Sequence, residues 1–409
     1  MKSRTSIKDY EPIVGRSYIE ELRMLASRLS GKTILNINST FVGGGVAEIL
    51  ARLVPLLNQL GVDARWQTIS GEKSFFEVTK KIHNALHGKR EPITEQDLSL
   101  FLQTTEKNLN LVDPSVDILF IHDPQPIALI MRKQDIGKKW LWRCHIDISN
   151  PNTEVWEFLK RFVLNYDAAV FSSPNFAQEV PIRQFFAPPS IDPLSDKNRA
   201  LPSGIIDSVL SRYGLDRDKP IILQVSRFDR LKDPLGVIKT FELVRKHFAC
   251  QLVLAGGAAA DDPESEQVLK EVREQAGGKP DIHILDLPPQ SDIEINALQS
   301  AATIIMQKSL REGFALTITE ALWKAKPVVA SAVGGIPLQV RNRLTGLLCH
   351  SIEGAAHAIR QLLANPEYAH WLGRNGKEHV RRHFLITREI RDYLCAFLAL
   401  EREEDFIYL

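Results

Sequence analysis

From Thr33 nearly to its end, the chain alternates short apolar runs with amphipathic stretches of ten to fifteen residues. That rhythm constrains the fold more than any other feature, because strands alternating with helices build βαβ units and parallel sheets. The first run is TILNINST (Thr33 to Thr40), followed by Gly43-Gly44-Gly45 and a helical pattern with Val46, Ile49, Leu50, Leu53, Leu56, Leu57 and Leu60 on one face. Further strands are read at Asp117 to His122, Trp140 to His145 and Ala168 to Ser173, with a helix near Thr153 to Tyr166.

A proline-dense stretch, FFAPPSIDPLSDKNRALPSG, then interrupts the rhythm and reads as an interdomain linker region. A second series follows. Its strands are PIILQVS, QLVLAGG, DIHIL, ATIIMQKS, PVVAS and TGLLCH, with helices near Pro234 to His247, Pro263 to Ala276, Ile293 to Ala301 and Phe314 to Ala325. The expected organisation is an N-terminal α/β domain over 1–190 and a C-terminal one over 191–385. The tail from Arg374 reads as helical, with helices near 386–409 crossing back to the first domain. A length of 409 residues suits two such domains. Open α/β sheets bind ligands at the carboxyl ends of their strands, so function is to be sought just after strands.

Composition narrows the function classes. With 51 Lys+Arg against 50 Asp+Glu, the net charge of +1 argues against a protein devoted to neutralising nucleic-acid phosphates. The four cysteines, Cys144, Cys250, Cys349 and Cys395, form no C-x-x-C pair, which points away from a zinc cluster or a disulfide framework. No run approaches the ~20 apolar residues that span a bilayer. The expectation is a soluble cytoplasmic protein with no membrane or nucleic-acid partner.

Several post-strand positions carry chemistry. The glycine run opens a helix, where free N–H groups attract anions and a ligand can approach the backbone closely. His122-Asp123 and His145-Ile146-Asp147 end neighbouring predicted strands, where imidazoles and carboxylates can meet sugar hydroxyls. In SRFDRLKD (Ser226 to Asp233), Arg227 and Lys232 place a guanidinium and an ammonium suited to a diphosphate. In EGFALTITE (Glu312 to Glu320), Gly313 permits close approach. The N–H groups of Phe314, Ala315 and Leu316 are expected to be uncommitted in a first helical turn. Glu320 would lie about two turns beyond Glu312 on the same face.

This constellation resembles the retaining GT-B glycosyltransferases of glycosyltransferase family 4, the large family that includes sucrose, glycogen and phosphatidylinositol mannoside synthases. It has two glutamates separated by seven residues, a proline-led strand after the helix (EALWKAKPVVA), the Arg and Lys, and the glycine loop. Ala315 and Leu338 depart from that pattern, which commonly has Gly and Glu there. The strings NSTFVGGGVAEIL, FFEVTKKIHNALHG, FIHDPQP, WRCHIDIS and GGIPLQV are similar instead to trehalose glycosyltransferring synthases and retaining trehalose phosphorylases.

The resemblance implies two doubly wound Rossmann-like domains facing across a cleft, and a retaining glucosyltransferase making α,α-trehalose from ADP-, UDP- or GDP-glucose and free glucose. It implies that Arg227 and Lys232 bind the diphosphate and Glu320 the ribose. Glu312, the backbone of Gly313, Phe314, Ala315 and Leu316, and His145 would meet the transferred glucose. Gly44, Gly45, Glu48, His83 and Asp147 would line the acceptor side, with the two glycines also touching the donor and Asp147 also serving catalysis. No metal is expected to be obligatory, because Arg and Lys can supply the counter-charge and the D-x-D string Asp216-Arg217-Asp218 precedes its strand. Stimulation by Mg2+ and a homodimeric assembly stay open, as does the physiological direction. The rival activities are a trehalose phosphorylase, a sucrose-synthase-like transferase, a two-domain dehydrogenase or epimerase, and a non-catalytic sugar-nucleotide sensor.

Overall fold

Most of the strands are buried on both faces, as near-continuous apolar runs in parallel sheets should be. The computed structural model describes residues 5–42, 45–257, 263–288 and 290–401. The chain divides into two compact units, Met1–Ser190 with Ile386–Leu409, and Ile191–Leu385.

Unit 1 holds β1 (Thr33–Asn38), β2 (Asp63–Thr68), β3 (Ile118–His122), β4 (Lys139–Cys144), β5 (Ala168–Phe171) and β6 (Arg183–Phe186), in the order β2-β1-β3-β4-β5-β6. Unit 2 holds β7 (Ile221–Val225), β8 (Gln251–Gly256), β9 (Ile282–Asp286), β10 (Ile304–Gln307), β11 (Val328–Ser331) and β12 (Leu347–Cys349), in the order β12-β11-β10-β7-β8-β9. Every neighbouring pair is parallel. Strand order reverses between β1 and β3 in unit 1 and between β7 and β10 in unit 2. At such a switch point the connections leave towards opposite faces and open a crevice at the carboxyl ends of the strands.

In unit 1 the core includes Trp140, Trp142, Phe75, Phe101 and Phe171, all essentially inaccessible. The last helix, Ile386–Leu400, belongs to the same unit and lays Tyr393 and Phe397 edge-on against Phe120, at centroid distances of 5.0 and 5.3 Å. A polar anchor also holds that helix. Arg143, fully buried on β4, donates to Tyr393 Oη (3.1 Å), Ser172 Oγ (3.2 Å) and the Ala187 carbonyl (2.7 Å). Tyr393 in turn donates to Glu389 (2.8 Å), whose other oxygen accepts from Ser190.

The structure adds elements to the sequence reading, refines two of its segments and corrects one helix start. The strands β2 and β6 and the helices Lys73–Leu86 and Glu95–Asn108 add to the sequence reading, because the edge strands DARWQT and RQFF are short and only partly buried. The proline-dense stretch carries the boundary between the two units, at Ser190 and Ile191, and is packed. It starts inside β6, buries Ala187 and Pro189 to Pro193, and ends in the helix Ser203–Arg212. The helix expected from Phe314 begins at Leu316, since Ala315 has φ 69° and a left-handed residue cannot continue a right-handed helix. The helical tail is two helices, Pro366–His383 and Ile386–Leu400, broken at Phe384.

Candidate active site

In unit 2 the loops after the adjacent strands β7 and β10 meet at the switch point. Lys232 follows β7 and Glu312 follows β10. The Lys232 Nζ donates to Glu312 Oε2 at 2.6 Å, with the two side chains 19% and 9% exposed. Ser309 Oγ donates to the same carboxylate oxygen at 3.1 Å. Behind this pair, Gln224 of β7 ties the two loops together. Its amide donates to the Lys232 carbonyl (3.0 Å) and its Oε1 accepts from the Lys308 N–H (3.1 Å). A second ion pair, Lys308 with Asp233, lies beside it, and Asp233 caps the following helix through the Gly236 N–H. Arg227 is more exposed, with its guanidinium 3.7 Å from Asp229.

The segment from Glu312 to Leu316 turns sharply. Gly335 N–H donates to the Gly313 carbonyl at 3.1 Å, and a β-carbon on Gly335 would stand only 2.5 Å from that oxygen, so only glycine lets the two loops approach. Gln339 donates to the Phe314 carbonyl. Among the described residues, the N–H groups of Phe314, Ala315, Leu316 and Thr317 have no hydrogen-bond acceptor, which makes the start of this helix electropositive. Glu320, the fifth residue of the helix Leu316–Trp323, is buried and accepts from Gln299 Nε2 at 3.1 Å. Asp216-Arg217-Asp218 lies before β7, at the opposite end of the strand from Arg227. Asp216 is bonded to Gln251 there, and Arg217 is paired with Asp207.

In unit 1 Asn36 of β1, His122 and Asp123 at the end of β3 and His145 after β4 are joined by hydrogen bonds, and Trp66 of β2 donates to Asn38 Oδ1 at 2.7 Å. His122 Nδ1 lies 3.2 Å from His145 Nε2, and His122 Nε2 lies 3.2 Å from Asn36 Oδ1. Burial and the Arg143 guanidinium hold His122 down to about 3 and His145 well below the ordinary imidazole range, so both rings are neutral near pH 7. Burial pushes the Asp123 carboxyl up to about 6, although it accepts the His145 backbone N–H at 2.9 Å. Asp123 itself is held at φ 67°. Asp147 turns the loop after β4 by accepting the Ser149 N–H at 3.0 Å. The next part of this loop meets the end of the helix carrying His83, since Asn152 N–H donates to the Ala85 carbonyl at 2.9 Å. His83 is half-buried with its ring 4.8 Å from that of His87, and Glu48 is exposed in the first turn of the helix Gly45–Gln59. Gly43 and Gly44 lie outside the described residues.

Sequence reasoning singled out His122 but passed over Asn36, Asn38, Gln224, Lys308, Ser309 and Gln299. One signal was available for the first two. Asn36 and Asn38 share one face of an otherwise apolar strand, and a buried amide there must find a specific partner. Among the described residues, no three His, Cys, Asp or Glu side chains converge as metal ligands, and no helix is long and apolar enough to cross a membrane.

Residues 36–178 match the family model described as trehalose synthase, N-terminal domain, and residues 207–379 match that described as glycosyl transferases group 1. The chain is 44% identical to a trehalose synthase from Rubrobacter xylanophilus, over 97% of each chain. It is 30% identical to a trehalose phosphorylase from Grifola frondosa, covering 87% of this chain but 55% of that one. In structure it is similar to sucrose-phosphate synthase from Thermosynechococcus elongatus, with a TM-score of 0.70 and 19% identity over 90% of this chain and 99% of that one. Two six-stranded parallel α/β units with this likeness have the GT-B fold, and the chain belongs to the trehalose synthase family of GT-B hexosyltransferases.

Proposed function

We propose that this protein transfers glucose, with retention, from a nucleoside diphosphate glucose to free glucose and so forms α,α-trehalose. The observation that carries this reading is the Lys232–Glu312 pair at the switch point of unit 2. It joins an ammonium suited to a diphosphate to a carboxylate suited to sugar hydroxyls. An ammonium has three donors, so its bond to Glu312 leaves two for phosphate oxygens.

In this reading Arg227 and Lys232 neutralise the diphosphate, Glu320 holds the ribose, and Glu312 and the free N–H groups from Phe314 to Thr317 hold the transferred glucose. His145 meets the hydroxyl edge of that glucose. Gly44, Gly45, Glu48, His83 and Asp147 line the acceptor. Breaking the anomeric bond builds positive charge on the sugar ring and negative charge on the departing diphosphate. Fixed cations and helix N-termini act on the second charge without reorganising during the reaction. A same-face route, in which the leaving phosphate takes the acceptor proton, gives retention without a nucleophilic carboxylate. Trapping a glucosyl adduct on any side chain would overturn that route.

The reading is tested by incubating the protein with ADP-, UDP- and GDP-glucose, each with and without glucose, and identifying the product linkage by NMR. A disaccharide other than α,α-trehalose refutes the substrate assignment. Formation of glucose phosphate from trehalose and inorganic phosphate, with no turnover of any nucleotide sugar, would establish the phosphorylase reaction instead.

A further inference from the structure

We propose that Asn36 and His122 are positioning residues that set the tautomer of His145, so that its Nδ1 meets the transferred sugar as a hydrogen-bond acceptor. The sugar contact rests on the placement of His145 given above. The hydrogen-bond chain behind it does not.

The chain starts at a group whose role is not negotiable. The Arg65 backbone carbonyl can only accept, so the Asn36 side-chain atom 3.1 Å from it is the Nδ2 donor. That orients Asn36 Oδ1 towards His122 Nε2, 3.2 Å away. An amide oxygen also only accepts, so His122 carries its proton on Nε2. His122 is 1% exposed and sits beside the buried Arg143, conditions that keep the ring neutral. A neutral ring protonated on Nε2 has a bare Nδ1, which lies 3.2 Å from His145 Nε2. The proton between the two rings therefore belongs to His145 Nε2.

His145 is neutral for the same reasons, so its own Nδ1 is left with a lone pair. Among the described residues that nitrogen has no hydrogen-bond partner. The ring is held in place by its edge-to-edge bond to His122, with centroids 5.6 Å apart and planes 21° from parallel, and by the backbone bond to Asp123. The direction of the bond matters to the chemistry. A hydroxyl that donates to Nδ1 becomes more electron-rich and eases the positive charge building on the sugar ring. A hydroxyl forced to accept from an Nδ1–H would withdraw density from it. The chain thus acts on turnover more than on ground-state binding.

The test uses the full-length protein labelled with 15N-histidine, with the His145 resonances assigned by their loss in His145→Ala. The expected spectrum at pH 7 shows the Nε2–H tautomer for His145. His122→Gln should keep that tautomer, because its amide oxygen can accept from His145 while its NH2 donates to Asn36. His122→Leu removes the acceptor, so the Nδ1–H form should become populated beside the Nε2–H form that a free imidazole already favours. Its kcat should fall several-fold and up to about tenfold, the worth of one such bond, with donor KM within about threefold of the parent. An Nδ1–H tautomer in the parent protein, or an unchanged kcat in His122→Leu, overturns the proposal. Full activity of His145→Ala would instead refute the sugar contact, while the spectrum still decides the hydrogen-bond chain.

Discussion

Lys232 and Glu312 stand 80 residues apart in sequence, yet Nζ and Oε2 meet at 2.6 Å because β7 and β10 are neighbours in the sheet of unit 2. Each residue orients the other. The pair also couples the cationic loop after β7 to the loop that opens the Leu316–Trp323 helix.

Lys232→Ala is expected to lower kcat for trehalose formation by about 100- to 1,000-fold, the effect of removing one preorganised group facing transition-state charge. Glu312→Gln keeps the shape of the pair but removes its charge, and should lower kcat as well. Steady-state kinetics in donor decide the matter. A rise in KM with kcat untouched in Lys232→Ala would show that the ammonium only binds.

The same cations lead to an expectation about metal. With Arg227 and Lys232 facing the diphosphate, activity should survive dialysis against a chelator. Activity abolished by chelation and restored only by Mg2+ would show that the two side chains do not suffice as counter-charge.

Ala315 occupies the left-handed region at φ 69° and ψ 73°, which costs a residue with a β-carbon about 1–2 kcal/mol. Ala315→Gly should therefore raise the melting temperature slightly, with part of the gain offset by the greater freedom of glycine in the unfolded chain. Ala315→Val, β-branched at the same φ, should lower it. Thermal melts of the three proteins make the comparison, and a Val variant as stable as the parent would contradict the backbone argument.

Glu389→Leu should lower unfolding free energy by about 3–5 kcal/mol, because it takes a counter-charge from the buried network of Arg143 and Tyr393. The double variant Arg143→Met with Glu389→Leu should recover much of that loss. Denaturant melts followed by circular dichroism test both. Equal destabilisation in the single and double variants would show that charge burial is not the cause.

His122 and Asp123 respond to acid in opposite senses. The folded-state pKa of His122 is depressed to about 3, so the unfolded chain takes up the proton first and stability falls as pH drops below the unfolded value near 6.5. That of Asp123 is raised to about 6, so its contribution is fully present below the unfolded value near 3.8 and is lost as pH rises through 6. Between pH 6 and 4 the two offset each other. Asp123→Asn keeps an oxygen for the His145 N–H but removes the second term, so it should lose about 1–2 kcal/mol more than the parent over that interval. Denaturant midpoints at pH 4, 5 and 6 provide the measurement, and parallel profiles would refute it.

Much of this protein was legible in its residues alone. Apolar runs of four to six residues between amphipathic stretches located ten of the twelve strands among the described residues, since parallel strands covered on both faces must be apolar almost throughout. The strand-end positions of His122, His145, Arg227 and Glu312 followed from the same pattern, and the GT-B resemblance from the motifs at and between those positions. The edge strands β2 and β6 escaped because their outer sides need no apolar cover.

What local pattern could not decide is which strand ends touch. Strand order sets that, and it arises from the packing of helices on both faces of each sheet, a property of the whole unit. Only the folded chain brings Asn36 of β1 against His122 of β3, pairs Lys232 with Glu312, and seats Tyr393 on Arg143 across 250 residues of sequence. Residue type supplied the chemistry of each group. Its partner, and with it its protonation and direction, came from tertiary contact, because burial and neighbouring charge are not encoded in any short stretch of chain.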